Sequence, residues 1–148
     1  MARTTPSALS HDVASLLLRL AFGGLMIVNH GVGKWERLTG TEELRFADPL
    51  GVGVKLSLQL ATGAELVCAS FVVLGLFLRL NLVPLLFTMV VAVFVVHSED
   101  PLARKEMGLL YLMAYLALFL LGPGRLSGSE ALSRAWSPKS PVLRWLVR

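Results

Sequence analysis

Four long apolar runs, cut apart by short charged or glycine- and proline-bearing stretches, occupy most of this 148-residue chain. About 20 apolar residues make a helix of about 30 Å, the thickness of the hydrocarbon layer of a bilayer. The first run, Val13 to Gly33, meets that length, and Ser10 or Asp12 stands where an N-cap is needed. The second, Val54 to Phe77, carries Ala61, Gly63, Ala64 and Ala69, small residues that let helices approach closely. The third starts near Asn81, with Pro84 in its first turn where a missing N–H costs little, and runs to His97. Its valines would favour a strand in water, but among membrane spans a helix satisfies its own backbone. The fourth, Met107 to Leu121, is short and reaches size by taking in Lys105 and Glu106 at the interface, and Gly122-Pro123-Gly124 ends it.

This pattern predicts an all-α fold: an integral membrane antiparallel four-helix bundle with a short interfacial helix in the first loop. The stretches Leu78 to Leu80 and Ser98 to Lys105 are brief connections that force antiparallel neighbours. Lys34 to Gly53 is longer, and its middle, Thr41 to Asp48, suits a helix capped by Thr41 and stopped by Pro49. The chain divides into a cytoplasmic segment 1–12, a four-span domain 13–122 and a basic tail 123–148. Trp136 and Trp145, set among basic residues, predict that the tail lies along the inner headgroups. Met1 to Ser10 lacks the apolar core and cleavage site of a secretory signal, so the first run is read as a retained span.

Composition narrows the function classes. Hydrophobic residues make up 55% of the chain and mean hydropathy is +0.67, more than a soluble core of this size uses, so much of the apolar surface is expected to face lipid. The net charge of +4 is scattered between apolar blocks, which fits topology signals and anionic headgroups and not nucleic acid. Cys68 is the one cysteine, so thiol chemistry would need a partner protein. Arg3, Arg79, Arg125, Arg134, Lys139, Arg144 and Arg148 lie on the side of the termini; Lys34, Arg37, Arg45, Lys55, Arg104 and Lys105 lie opposite, matched there by acids. Seven basic residues against six place both termini in the cytoplasm by the positive-inside rule.

Two ionisable residues, Arg19 and Glu65, fall inside spans, where each costs about 2.5 to 3.5 kcal/mol at a helix centre. Rise per residue puts them roughly 9 and 18 Å deep, so an Arg19–Glu65 ion pair is expected; the alternative is that Arg19 snorkels and leaves Glu65 protonated. Arg19, Gly23, Met26, His30 and Lys34 recur at helical spacing on one side of the first span. Asn29, Lys55, Gln59, His97 and Glu106 reach the same outer level, with Tyr111 and Tyr115 pointing toward it. A site of His30, Lys34, Gln59, His97, Glu106 and Tyr111 suits a quinone or similar headgroup, whose carbonyls need donors and whose reduction needs protons. Two histidines with Glu106 as the sole third donor do not make a metal site, and no covalent or metal cofactor is predicted. Without a flavin or haem motif, electrons would come through a partner.

Several short stretches then fall into a familiar order. They are His30-Gly31 with Lys34, Phe46-Ala47-Asp48-Pro49-Leu50-Gly51, Glu65, Gly75 to Arg79, His97, and Gly122-Pro123-Gly124-Arg125-Leu126-Ser127. Spread over about Leu16 to Ser127, this order resembles the DoxX family of small four-helix bacterial membrane proteins. The chain departs from the usual Leu-Asp after the last serine, having Gly128-Ser129-Glu130. Proteins similar to this family include a membrane subunit of thiosulfate:quinone oxidoreductase and a partner of superoxide dismutase and a sulfurtransferase in a membrane redox complex; distant eukaryotic relatives assist membrane-protein assembly. The resemblance implies a redox-associated subunit of the bacterial inner membrane, working with a redox enzyme or other membrane proteins. The alternative is a non-catalytic scaffold or assembly chaperone, in which Arg19 and Glu65 are structural. A proton-coupled carrier using Glu65 is disfavoured by the lack of an unwound helix or inverted repeat. Small-residue faces suit self-association into a homo-oligomer.

Overall fold

Gly40, Gly75, the stretch His97 to Pro101 and Gly122 interrupt the helical backbone, and the computed structural model, which describes residues 6–135, is helical between most of them. The elements are α1 (Ala8–Thr39), α2 (Val54–Leu74), α3 (Leu78–Val96), α4 (Leu102–Leu121) and α5 (Gly128–Ala135). No strand occurs among the described residues. α1, α2 and α3 are long and apolar enough to cross a membrane; α4 has 20 residues and carries Arg104, Lys105 and Glu106 near its start. The tail residues Trp136 and Trp145, expected at the inner headgroups, lie outside the described residues.

The boundaries depart from the sequence reading in three places. The first helix is already formed at Ala8, so Ser10 and Asp12 sit inside it and not at its start. It continues past Gly33 to Thr39, because Lys34-Trp35-Glu36-Arg37 are adequate helix formers, and stops only at Gly40, whose backbone is extended. α2 ends at Leu74, earlier than expected, on Gly75 in the left-handed region at φ 66°, and Phe77 follows at φ 47°. The turn therefore lies at 75–77 and not at Leu78 to Leu80. A Cβ at position 75 would lie 2.3 Å from Arg19 Nη1, so both backbone conformation and space demand glycine.

The predicted interfacial helix over Thr41 to Asp48 is absent: these residues are irregular. Asp48 instead turns forward to the start of α2. Its carboxylate accepts from Val52 N (3.0 Å), Gly53 N (2.8 Å) and Ser57 Oγ (2.6 Å). Such a carboxylate satisfies donors that a helix start leaves open, and it draws Phe46 to Leu50 across the bundle.

The four long helices form a ring in which α1 packs on α2 and α4, and α3 packs on the same two. Met26, Val72, Leu82, Leu85, Tyr115 and Leu118 fill its centre. Gly31 brings α1 onto α2: a Cβ there would lie 2.8 Å from the Glu65 carbonyl oxygen. The outward faces are apolar, with Leu17 61% and Leu120 80% exposed, as lipid contact requires. Three of the helices contain widened, i→i+5 turns, at Arg19–Gly23 and Ile27–Gly31 in α1, Gly63–Cys68 in α2 and Ala92–Val96 in α3.

The end of the ring that carries the N-terminus is sewn together by polar contacts. Ser15 Oγ donates to Gly122 O (2.7 Å), and Asp12 accepts from both the backbone N (2.8 Å) and Nε (2.9 Å) of Arg125. Ser129 bridges to the α2–α3 corner, its N donating to Gly75 O (3.0 Å) and its Oγ accepting from Phe77 N (3.1 Å). The opposite end, under the 40–53 loop, is hollow.

Candidate functional site

Arg19 and Glu65 are both buried, but they do not pair. Arg19 Nη1 donates to Val73 O (3.1 Å) and Nη2 to Leu126 O (2.6 Å), at the sewn end. Its Nε is buried without a hydrogen-bond partner among the described residues. The expected Arg19–Glu65 ion pair is thus corrected: carbonyls left open by the α2–α3 corner and by the turn after α4 lie nearer to the guanidinium than any carboxylate. Glu65 pairs instead with the Lys34 ammonium, across the close α1–α2 approach at Gly31. Lys34 comes from the end of α1, where the extension beyond Gly33 keeps it on the helix and aims it inward.

Beside this pair lies a cavity of about 440 Å³. α1 contributes Met26, His30 and Lys34; α2 contributes Ser57, Ala61, Ala64 and Glu65; α4 contributes Arg104, Lys105, Gly108 and Tyr111. Pro84, Thr88 and Ala92 of α3 and His97 just past its end complete the wall, and Phe46, Pro49 and Leu50 close over the top. The α2 set recurs at four, three and one residues, so it is one helical face.

The back wall is aromatic. Tyr111 meets His30 edge-on (ring centroids 5.6 Å apart, 88°) and Phe22 likewise (5.6 Å, 85°), and Tyr115 beneath it donates to Phe22 O (3.3 Å). Among the described residues, no protein hydrogen bond engages the His30 ring nitrogens or the Tyr111 hydroxyl, so these groups remain for whatever occupies the cavity. The Lys34 ammonium lies 6.0 Å from the Phe46 ring centroid, at the outer limit of a cation–π contact.

At the rim, His97 Nδ1 and Asp100 Oδ2 are 2.6 Å apart, and Arg104 donates to Asp100 Oδ1 (3.2 Å). The His97 ring, then Arg104, hold the Asp100 carboxyl below its usual range. Asp48 is held low as well, first by the Ser57 hydroxyl and then by the N–H groups of Gly53 and Val52.

Of the six residues predicted for the site, His30, Lys34, His97 and Tyr111 line the cavity. Gln59 and Glu106 do not; both are exposed. Gln59 lies two residues, about 200°, from the face made by Ser57 and Ala61, and Glu106 stands in the same relation to Gly108. Asn29 and Lys55 are exposed for the same reason, and Tyr115 is buried behind Tyr111. Sequence reading missed Arg104, Lys105 and the covering loop; the Asp48-Pro49 dipeptide ahead of α2 was the signal for the latter.

α2 and α3 pack together along 63–74 of the one and Leu78–Val91 of the other. Toward the loop end each packs chiefly on another helix. Val54–Thr62 packs on Val32–Thr39 of α1, and Ala92–Val96 packs on α4.

Comparison with known proteins agrees with the motifs. No curated protein and no solved structure matches the chain. The DoxX family model matches residues 14–98, from the first helix through His97 at the rim. That match takes in Lys34, Glu65 and the covering loop and spans more than half of the 148 residues; the chain belongs to the DoxX family and is a membrane protein.

Proposed function

We propose that this protein is a redox-associated membrane subunit whose cavity receives the carbonyl-bearing head of a quinone or a similar lipophilic carrier. The observation that carries this reading is the His30–Tyr111 pair, whose polar atoms lack partners among the described residues, set in a largely apolar cavity beside the Lys34–Glu65 ion pair. A quinone head offers two carbonyl acceptors on a flat apolar ring, and it matches a wall of edge-on aromatics with donors at its margin. The cavity volume is within the range of small-molecule sites.

Reducing a quinone to a quinol takes two electrons and two protons. On this reading the electrons arrive from a partner redox protein, while His30, His97 and the Tyr111 hydroxyl orient the head and conduct protons from the rim. All four long helices span the inner membrane, the termini are cytoplasmic, and the cavity opens toward the periplasmic leaflet. The distribution of basic residues beside the spans supports that orientation.

The test is a fluorescence-quenching titration of the purified protein with a short-tailed ubiquinone analogue. Changing His30→Ala together with His97→Ala is expected to weaken binding by about tenfold or more, the worth of one good hydrogen bond. Unchanged binding in that double variant would remove the site, and saturable binding by neither protein would favour the scaffold reading.

A further inference from the structure

We infer that the gap between α2 and α3 at the loop end is a lateral opening to the bilayer, through which the tail of a single-tailed quinone-type ligand lies while its head sits at His30 and Tyr111. The inference rests on the headgroup reading above for the ligand's class, and on the packing of the helices for its path. Three observations point to the gap. First, the α2–α3 packing comes from the 63–74 and Leu78–Val91 stretches, whereas Val54–Thr62 packs chiefly on α1 and Ala92–Val96 chiefly on α4. Second, the cavity is lined on that side by Leu60 and Phe87, each 56% exposed. Large apolar side chains that line a cavity and keep more than half of their surface uncovered fit a wall that is open at that place. Third, the residues set back between them are small, Ala61 and Ala64 on α2 and Ala92 on α3, leaving width for a branched hydrocarbon chain.

The other routes into the cavity are polar or covered. Above it lie Phe46, Pro49 and Leu50, held by the Asp48 anchor, with His97 and Arg104 beside them. A hydrocarbon tail leaving by that route would have to pass charged groups into water. Leaving between α2 and α3, it passes from apolar wall to acyl chains with no such cost. The ligand is therefore drawn from the membrane and not from the aqueous phase.

The experiment uses the full chain in lipid nanodiscs and three probes: a benzoquinone bearing a diazirine on a two-unit isoprenoid tail, the same diazirine chain without the head, and the tail-less dimethoxy-methyl-benzoquinone. Photolabelled peptides are mapped by mass spectrometry. The tailed quinone is expected to label residues 57–64 and 87–92, and Ala61→Trp is expected to cut that labelling about tenfold and to weaken the tailed quinone more than the tail-less one. Val67→Trp, at an exposed site elsewhere on α2, should change neither. Should Ala61→Trp not fold, Leu60→Trp at the exposed rim replaces it. Labelling confined to other faces, or undiminished in the tryptophan variants, overturns the opening even if the tail-less quinone binds. Labelling of 57–64 by the headless chain, with no binding of the tail-less quinone, keeps the opening and overturns the headgroup reading.

Discussion

The Lys34–Glu65 pair is the residue on which stability and function meet. Glu65 is 4% exposed, so removing only its partner leaves a buried charge. Lys34→Met is expected to destabilise the protein by about 3 to 5 kcal/mol, and Lys34→Met combined with Glu65→Leu to restore most of that loss. Thermal unfolding in detergent reads the difference; a double variant no more stable than the single one would mean that the pair is not the buried unit described here. Arg19 makes a second residue-scale case. Arg19→Ala leaves two part-buried carbonyls open and should cost about 2 kcal/mol, with Arg19→Lys a poor rescue because one ammonium cannot span both. Quinone affinity of the surviving folded fraction should not change, since the guanidinium lies at the far end. Asp48 adds a pH dependence. Its carboxyl is held below the ordinary aspartate value of 3.8, so its contribution is complete above that value and is lost as pH falls through the lower, folded one. Protease sensitivity of the 40–53 loop should therefore be flat from neutral pH down to about 4 and rise only in stronger acid. In Asp48→Asn it should be raised at every pH. The need of Arg19 and Glu65 for partners was legible from their type and position. Which partners was not, because backbone carbonyls released at a corner leave no mark in a sequence of side chains.

Among the elements, the sequence told most about the helices and least about their edges. Each of the four apolar runs lies mainly in a helix, the glycine stop follows the fourth, and the small residues of α2 fall within it. The first loop was misread because Thr41 to Asp48 has the residue types of a capped helix, while the competing use of Asp48 depends on Ser57, nine residues on. Gln59 and Glu106 were misplaced for another reason: depth along a helix was counted, but direction around it was not, and a residue at the right level faced away. The contact between α1 and α2 offers a clean test. Gly31→Ala would put a methyl 2.8 Å from a backbone oxygen and should destabilise by about 1 to 3 kcal/mol. Gly24→Ala, with nothing within 4 Å, should be neutral or stabilise by up to about 1 kcal/mol through its helix preference. Equal melting temperatures for the two variants would contradict the close approach.

For the whole molecule, the ring of helices has unlike ends: one sewn by Asp12, Arg19, Arg125 and Ser129, the other open around a cavity. Substitutions are accordingly expected to sort by end: those at the first lower stability with affinity kept, and those of cavity residues outside the Lys34–Glu65 pair lower affinity with stability kept. The sorting of polar residues between two ends was not legible, since it depends on which helix faces which. A consequence for biogenesis follows from the reach of Arg19. The guanidinium bonds carbonyls 54 and 107 residues further along the chain. During synthesis it enters the bilayer with the first hydrophobic segment, acquires one acceptor when the second has emerged, and lacks the other until the ribosome has passed Leu126. A nascent chain stalled before that residue carries the guanidinium with one of its two acceptors still missing.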